Sequence, residues 1–541
     1  MQTRDGVRLD ADVYAPDAAG SFPVLLMRQP YGRSIASTVV YAHPRWYAAQ
    51  GYIVVIQDVR GRGTSEGAFY PFASEVADGE DSVYWAAGLP GSNGGVGMYG
   101  FSYQGATQLY AASTRPAPLK AICPAMLPYH LHEMVYEGGA FCLQSKLSWA
   151  LQLSAETARL RQDQAMHQKL VAASRQLPLT SAIPSRPDWL EAYPPASFYF
   201  DWLDHPDPDA NYWKALSPSS YLQDLDLPML HIGGWHDSYL RGTLALYRAM
   251  VDQCQQPQRL LIGPWPHLPW GRRLGAIDYG PEAVSPVDRL QVRWFDQLLK
   301  GIDTGILQEA PVQLFEMGRN HWQCFPAWPW TTSRTYFLKG SGLAGVSESE
   351  GQLITTTPER CPPDVFVHDP WRPVPSLGGN MAIPAGSGDR SHLDCRTDVL
   401  TYTTDPLPTF LKLLGSCELL LYCSADAPSF DISAVLSEVR PEGIFNLTQA
   451  YARVNQTTPT PLRLQFQSTS IQIPTGHALR LSLSAAAFPA YALNPGTGAG
   501  AATTRLIEAR PITITVQTGG QTPSQLLLPL LPAQTDAPGG F

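Results

Sequence analysis

The sequence has no long run of basic residues, and positive charge is scarce. Its 541 residues include 38 Lys and Arg against 47 Asp and Glu, which gives a formal net charge of −9. Proteins that bind nucleic acid normally present clustered Lys and Arg to the phosphates. The composition therefore argues against a nucleic-acid partner.

Long apolar segments are missing as well. No run approaches the ~18 residues that would span a bilayer. The strand-like segment 7–14 follows residues 1–6 directly, with no apolar signal-type region before it. We therefore expect no membrane association and a cytoplasmic location. A homo-oligomer is compatible with this composition.

The eight cysteines show none of the spacings of a metal site or a disulfide framework. No Cys-x-x-Cys pair occurs, and most of the cysteines fall inside apolar segments, as small buried thiols do. We expect neither a zinc site nor disulfide bonds.

Length and hydrophobic periodicity predict several domains. Residues 1–125 alternate strand-length apolar runs with amphipathic stretches, which is the pattern of an α/β core with a mostly parallel sheet. Residues 126–225 show helical periodicity and then a Pro- and aromatic-rich stretch, which predicts an inserted helical cap. The sheet pattern resumes over 226–305. Short alternating segments over 306–541 predict an all-β sandwich or jelly roll.

Ser102 lies where a predicted strand, 96–99, should turn sharply into a helix, within the stretch GFSYQG at 100–105. In a nucleophile elbow the strained turn exposes the serine oxygen, and small neighbours allow close packing. Gly100 and Gly105 would be those neighbours. The usual form, G-x-S-x-G, has its second glycine where this chain has Gln104. An ordinary glycine-rich turn is the alternative interpretation.

Asp237 and His267 are the candidate partners of Ser102. Enzymes with such an elbow deliver the triad in the order serine, carboxylate, histidine, from loops after successive strands. Asp237 follows a predicted strand at 228–234, and His267 follows one at 259–263. Both side chains should therefore emerge at the carboxyl edge of the sheet.

Other polar residues of the same region fit this order less well. His231 falls in the middle of a predicted strand, which is typical of a core histidine, and His236 comes too early in the chain. Asp58 also ends a strand. It precedes the serine, however, and is followed by Arg60, which favours a structural Asp–Arg loop.

The stretch GMYGFSYQG at 97–105 resembles the elbow of the Xaa-Pro dipeptidyl-peptidase and cocaine esterase (CocE/NonD) family, in which G-x-S-Y-x-G is usual. The displaced glycine is therefore a family trait. The likeness covers nearly the whole chain, through RQPY at 28–31, QDVRGRGTSEG at 57–67, GGWHD at 233–237, GPWPH at 263–267, PVPSLGG at 373–379 and NPGTG at 494–498.

This resemblance implies an α/β-hydrolase core with an inserted helical cap and a C-terminal β jelly-roll domain. It also implies roles at the site. Ser102, Asp237 and His267 fall on the family's triad. The hydroxyl of Tyr31 and the backbone N–H of Tyr103 fall on its oxyanion hole, with simple aromatic packing as the alternative for Tyr31.

The predicted activity is that of a serine hydrolase that cleaves carboxylic esters, and by the same chemistry amides, through an acyl-enzyme. Small-molecule esters or amides would be the substrates, with no metal or organic cofactor. The alternatives are an Xaa-Pro dipeptidyl-peptidase and an α-amino acid ester hydrolase or acylase. Outside enzymes, the alternative is an inactive scaffold whose jelly roll binds glycans.

The acyl pocket is predicted between core and cap, where aromatic residues cluster. Packing within the cap is the alternative for each of them. The candidates are Phe198, Tyr199, Phe200, Trp202 and Trp235. A substrate ammonium group would need a carboxylate partner, for which Glu133, Glu137, Asp201 and Asp204 are available.

Overall fold

The computed structural model describes residues 1–455, 457–458 and 460–532. Strands and helices alternate over the first 125 residues, as the apolar periodicity predicts. Their bounds are β1 (Ala11–Tyr14), β2 (Phe22–Gln29), α1 (Pro44–Ala49), β3 (Ile53–Asp58), α2 (Glu75–Ala87), β4 (Ser92–Phe101), α3 (Tyr103–Ser113) and β5 (Leu119–Ala125).

The predicted cap follows as a mainly helical insertion. Residues 143–175 of the cap form two successive helices, because Gln162 turns the chain with a φ of +61° and Asp163 caps the second helix by accepting from the N–H of Met166. The bounds are α4 (Leu131–Val135), β6 (Tyr136–Glu137), β7 (Ala140–Phe141), α5 (Leu143–Leu160), α6 (Gln164–Arg175), α7 (Asp188–Glu191), α8 (Ser197–Asp204) and α9 (Asn211–Leu216).

The α/β pattern then resumes. The next elements are β8 (Met229–His236), α10 (Leu240–Gln253), β9 (Gln258–Pro266), β10 (Arg273–Leu274), β11 (Ile277–Asp278), α11 (Val287–Leu299), β12 (Val312–Glu316) and β13 (His321–Phe325).

In the described part of the chain, nine strands form one sheet in the order β1-β3-β2-β4-β5-β8-β9-β12-β13. The inner strands pair in parallel, and the two edge strands pair antiparallel with their neighbours. Leu26 and Val55 face the layer of α2, α3 and α10, whereas Leu25 and Val54 face the layer of α1 and α11. Both faces are covered, which explains why the central strands are apolar throughout.

Two strands beyond residue 306 belong to this first sheet. Val312 pairs in parallel with Leu260, so β12 extends the sheet after β9, and β13 closes the edge. A short alternating strand has the same sequence pattern whichever sheet it joins. The predicted boundary at residue 305 therefore precedes the last two strands of the first sheet.

The described residues from 332 to 532 form the predicted β domain. Its strands pair antiparallel, as in jelly rolls, except that β15 pairs in parallel with β17. The bounds are β14 (Thr332–Lys339), β15 (Gln352–Ile354), β16 (Asp364–His368), α12 (Ser391–Asp394), β17 (Leu400–Thr403), β18 (Leu411–Gly415), β19 (Glu418–Ala425), β20 (Ser429–Arg440), β21 (Gly443–Asn455), β22 (Leu462–Gln465), β23 (Thr469–Ile473), β24 (Ala478–Ser484), β25 (Ile512–Gln517) and β26 (Gln525–Leu530).

The predicted combination of an α/β-hydrolase core, a helical cap and a strand-rich C-terminal domain is confirmed. None of the described helices is both long and apolar enough to cross a membrane.

Candidate active site

Ser102 occupies the sharp turn between β4 and α3. Its backbone has φ +61° and ψ −125°, a region that costs a non-glycine residue about 1–3 kcal/mol. The backbone N–H of Ser102 donates to the carbonyl of Ala125 at 2.9 Å and lies 3.2 Å from that of Met126. The end of β5 therefore holds the strained turn in place.

The two glycines of the elbow are required by close packing. A Cβ on Gly100, whose φ is +140°, would lie 2.5 Å from the Cβ of Gln104. A Cβ on Gly105 would lie 2.7 Å from the carbonyl oxygen of Ala125. Gly105 thus allows α3 to pack directly on β5. This close packing explains why the second glycine of the elbow is needed at position 105.

Asp237 and His267 emerge at the ends of two neighbouring parallel strands, β8 and β9. The Nδ1 of His267 lies 2.8 Å from the Oδ1 of Asp237. The Asp237 side chain is fully buried, whereas that of His267 is 26% exposed. A carboxylate that accepts from Nδ1–H fixes the tautomer in which Nε2 is free to take a proton.

The imidazole of His267 lies beside the elbow. Its ring centroid is 5.3 Å from that of Phe101, the residue that precedes Ser102. On another side, Tyr239 packs edge-to-face on the ring at 4.9 Å. The structure therefore brings the three predicted triad residues to the same edge of the sheet.

The β domain supports the loop that carries Asp237. Gln467, only 3% exposed, donates through Nε2 to the backbone carbonyls of Trp235 at 2.9 Å and Asp237 at 3.0 Å. Its Oε1 accepts from Asn380 at 2.7 Å. Sequence reasoning missed Gln467, because nothing in the local pattern shows that a residue so distant in the chain contacts this loop.

Tyr31 follows β2 and lies next to Ser102. Tyr31 as a whole is 36% exposed, but the surroundings of its hydroxyl group exclude water and so raise the pKa of the phenol, while the neighbouring Trp149 and Ser102 side chains act in the opposite direction. The hydroxyl therefore remains protonated and can donate a hydrogen bond at neutral pH.

Tyr103 follows Ser102 directly, and its side chain is buried away from the elbow. It is the first residue of α3, so its N–H has no acceptor within the helix and lies at the positive end of the helix dipole. Its hydroxyl donates to Glu75 at 2.8 Å and accepts from the N–H of Phe72 at 3.0 Å. These two bonds anchor the start of the helix.

Arg62 links the Tyr31 loop to the cap. This guanidinium is 1% exposed, and it donates to the carbonyl of Pro30 at 2.7 Å and to that of Leu153, on α5, at 3.0 Å. Burial lowers the pKa of Arg62 to about 10, so it remains charged. The motif at 57–67 contains this residue, but sequence reasoning assigned it no role.

Asp58 and Arg60, predicted to form a structural Asp–Arg loop, pair with other residues and not with each other. Asp58 accepts from the Arg33 guanidinium at 2.6 Å, and Arg60 pairs instead with Asp78 at 2.6 Å.

The histidine alternatives are buried. His231 contacts Gln258 within the core, and burial lowers its pKa to about 4.

Four of the five aromatic residues predicted for the acyl pocket pack together in the core of the cap, and Trp235 lies elsewhere. Trp202 stacks on Trp149, with the two ring centroids 5.4 Å apart. Trp149 is the neighbour of Tyr31, so the Trp149 ring lies between Trp202 and Tyr31. Phe198 and Phe200 are buried in the cap core. Trp235 donates to the carbonyl of Phe315 at 2.7 Å, which places it against β12 and not against the cap.

Three of the four carboxylates considered for a substrate ammonium group already have partners within the chain. Glu137 lies 2.8 Å from Arg241, Asp204 lies 2.6 Å from Arg186, and Asp201 accepts from Tyr70 at 2.8 Å. Glu133 is exposed. In the part of the chain that the structure describes, no three His, Cys, Asp or Glu side chains converge as metal ligands.

Sequence reasoning also missed three residues around the triad: Lys146, Trp149 and Tyr239. One signal was present, because Lys146 falls on the apolar stripe of α5, in helical spacing with Leu143, Leu147 and Ala150. A charged residue at such a position calls for a specific reason.

The α/β-hydrolase fold, with a serine at the elbow and a histidine–carboxylate pair beside it, defines the class of the protein as a serine hydrolase. The sequence profile of the X-Pro dipeptidyl-peptidase (S15) family matches residues 5–269. The profile of the X-Pro dipeptidyl-peptidase C-terminal non-catalytic domain matches residues 304–527. The chain belongs to this family.

Relatives with known names agree with this assignment. The cocaine esterase of Rhodococcus sp. (strain MB1 Bresler) is 30% identical over 563 residues, which cover 98% of this chain and 97% of that protein. An aminopeptidase from a marine sediment Thaumarchaeota archaeon superposes with a TM-score of 0.81 at 24% identity, and an α-amino acid ester hydrolase with 0.79 at 22%. Each match covers 98% of this chain and 95% of the other, and these two show the fold alone.

Proposed function

We propose that this serine hydrolase cleaves small carboxylic esters with Ser102 as nucleophile, His267 as general base and Asp237 as the residue that orients the base. The observation that carries the proposal is the 2.8 Å contact between His267 Nδ1 and the buried Asp237, with the imidazole packed against the residue before Ser102. The 30% identical relative is an esterase by name, which supports ester substrates.

Acylation begins when the Ser102 oxygen attacks the ester carbonyl carbon. A serine hydroxyl is a weak nucleophile near neutral pH, so His267 Nε2 takes its proton as the new C–O bond forms. Asp237 stabilises the resulting imidazolium. The imidazolium then gives the proton to the departing alkoxide, and the bond between carbonyl carbon and leaving oxygen breaks.

Deacylation repeats these steps with water as the nucleophile. His267 takes a proton from the water as it attacks the acyl-enzyme, and returns it to the Ser102 oxygen when the acid leaves. Both tetrahedral intermediates carry a negative oxygen. In this proposal the Tyr31 hydroxyl and the Tyr103 N–H donate to that oxygen, as preorganised donors that need no reorientation.

The decisive experiment is active-site labelling with a fluorophosphonate, followed by mass spectrometry. We expect one adduct, on Ser102, and loss of p-nitrophenyl acetate hydrolysis. Ser102→Ala should block labelling and lower kcat/KM by on the order of 10⁴-fold or more, because loss of a triad member removes most of the catalysis.

Ser113→Ala is the matched control, because Ser113 ends the same helix and donates only to the carbonyl of Tyr110. It should label and hydrolyse like the parent protein. An adduct on another serine, or undiminished activity in Ser102→Ala, would refute the proposal. Anilides of Xaa-Pro dipeptides serve as the peptidase comparison, and we expect them to be poor substrates.

A further inference from the structure

Lys146 is a buried cation on α5. The residue is 2% exposed, and its Nζ donates one hydrogen bond, to the hydroxyl of Tyr239 at 2.9 Å. Among residues 1–455, 457–458 and 460–532, no carboxylate forms an ion pair with this Nζ and no second acceptor bonds to it. An ammonium group has three N–H donors. Two of them are therefore available to a ligand from outside the chain.

The charge of Lys146 lacks a counter-ion, although proteins normally pair a buried ammonium group. Burial lowers the pKa of Lys146 to about 8, while the nearby Cys142 and Asp237 raise it in part. Asp237 is already hydrogen-bonded to His267, and burial raises the pKa of the Cys142 thiol to about 12, so the thiol is neutral. Near neutral pH the lysine is therefore mostly charged, and a bound anion would stabilise it.

A cavity of about 540 Å³ borders Lys146 between the cap, α10 and the β domain. Sites for small molecules fall in this range of volumes. None of the five residues proposed for the triad and the oxyanion hole lines this cavity. Tyr239 does line it, and its ring also packs edge-to-face on His267. The cavity is therefore separate from the proposed catalytic centre, with Tyr239 between the two.

The charges on the cavity wall favour an anion. The whole chain has a net charge of −9, yet this wall has three basic residues, Lys146, Arg241 and Arg248, against two acidic residues, Glu133 and Glu137. Glu137 lies 2.8 Å from Arg241, so these two charges compensate each other. Arg248 and Glu133 are exposed to solvent. Lys146 is thus the buried charge of this wall that an anion would compensate.

Apolar side chains form much of the remaining wall and restrict the kind of anion. They are Met134, Leu240, Leu244, Met381 and Phe466. An inorganic anion would leave this surface without contact, whereas a carboxylate on a short apolar chain or ring would cover it. A carboxylate also has two oxygens that can accept from the two available N–H groups of Lys146. The wall is therefore suited to organic monocarboxylates.

We propose that this cavity is a second ligand site, which binds organic monocarboxylates through an ion pair with Lys146. The binding goes beyond the proposed esterase function and does not depend on it. Two residues of the wall link occupancy of the site to the proposed acid and base, because Gln467 donates to the carbonyl of Asp237 and Tyr239 packs on His267. Hydrolysis of a small ester also releases an acid of this class, so the test must separate the cavity from the acyl site.

The test measures the binding of hexanoate by isothermal titration calorimetry, with hexanamide as the uncharged probe of the same length. The protein is first treated with a fluorophosphonate, so that an adduct on Ser102 occupies the acyl site. We expect hexanoate to bind the treated protein and hexanamide to bind about tenfold more weakly, because it lacks the charge. Lys146→Met, which keeps the length of the side chain, should raise the Kd of hexanoate by about 10- to 100-fold, the effect of one charge-assisted hydrogen bond.

Lys120→Met is the matched control, because Lys120 is exposed on β5 and its Nζ bonds only to the nearby carbonyl of Ala117. The Kd of hexanoate should not change in this variant. Thermal unfolding of Lys146→Met shows whether that variant is folded, and the comparison of hexanoate with hexanamide in the parent protein tests the charge of the site independently of any variant.

A pH series in the parent protein gives a further measurement. Lysine is charged below its pKa, so hexanoate should bind near neutral pH, and the affinity should be lost as the pH rises above about 8. Between about pH 7 and pH 9, Arg, Glu and His side chains keep their charge state. This covers the other charged or titratable groups of the wall apart from Cys142 and Tyr239, which are Arg241, Arg248, Glu133, Glu137, His130 and His132. Burial raises the pKa of Tyr239, so its hydroxyl stays neutral.

Hexanoate that binds only before Ser102 is modified would lie in the acyl site, and this result would overturn the inference. An equal Kd for Lys146→Met and the parent protein, or equal binding of hexanoate and hexanamide, would overturn it as well. The proposed function fails separately, if the fluorophosphonate leaves Ser102 unmodified. The binding of hexanoate is then measured on the untreated protein, and its dependence on Lys146 decides the inference.

Discussion

The proposed nucleophile, Ser102, and the groups proposed to assist it are held in place by different means. Ser102 is fixed by its chain neighbours and by the adjacent strand, through the close packing of Gly100 and Gly105. The loops of Tyr31 and Asp237 are held by side chains from other parts of the molecule. Arg62 ties the first loop to α5, and Gln467 ties the second to the β domain.

This difference separates what a local motif can encode from what only the assembled fold provides. The elbow is specified by consecutive residues, because steric packing at a sharp turn depends on the residues of that turn. The loop that carries Asp237 is held by hydrogen bonds from Gln467, about 230 residues further along the chain. Three experiments, from the largest expected effect to the smallest, test how much the second region contributes.

Asp237→Asn should have the largest effect of the three. An amide can donate to Nδ1 and so favours the wrong tautomer of His267, although the side chain keeps its shape. We expect kcat to fall by on the order of 10⁴-fold with little change in stability, measured with p-nitrophenyl acetate and by thermal unfolding. Asp252→Asn, at an exposed position of α10, is the control. A loss below tenfold would show that His267 does not depend on this carboxylate.

Tyr31→Phe removes one donor from the proposed oxyanion hole. Losing such a donor typically costs about 10²- to 10³-fold in kcat. KM should change much less, because the hydrogen bond forms mainly in the transition state. Tyr84→Phe on the exposed side of α2 is the matched control. A rise in KM with unchanged kcat would instead assign Tyr31 to substrate packing.

Gln467→Met should have the smallest effect on catalysis and a clear effect on stability. The buried carbonyl of Trp235 loses the Gln467 donor, while that of Asp237 keeps the N–H of Leu240 at 3.2 Å, and the free energy of unfolding should fall by about 1–3 kcal/mol. We expect kcat to fall by about tenfold, because the acid loop loosens. Gln352→Met, on the exposed face of β15, provides the baseline. Lower stability with unchanged kcat would mean that the loop holds its shape without the β domain.

The sequence predicted the parts of the molecule that depend on local chemistry. The strand predicted before Asp237, at 228–234, is β8, Met229–His236, and the strand predicted before His267, at 259–263, is β9, Gln258–Pro266. The proposed triad follows from the sequence because each of its members comes after a predicted strand, in the family's order. The sequence could not predict which sheet β12 joins. Its pairing with β9 connects residues far apart in the chain, and an alternating pattern does not specify such a partner.

The surroundings of the triad were harder to predict for a related reason. Aromatic residues in α8 suggested a pocket, but a ring that packs in a cap core and a ring that faces substrate have the same sequence pattern. Trp149 and Lys146 on α5 are brought near the site by the fold of the cap. Lys146 was visible as a charge on an apolar stripe, whereas its contact with Tyr239 was not.

The contact between Gln467 and the Asp237 loop has a consequence for biosynthesis. A ribosome makes the chain from the amino terminus, and domains generally fold as they emerge. Ser102, Asp237 and His267 are all synthesised well before Gln467. The growing chain therefore contains all three proposed triad residues before Gln467, which holds the Asp237 loop, has been synthesised. We expect full hydrolytic activity only after the β domain has folded against the α/β core.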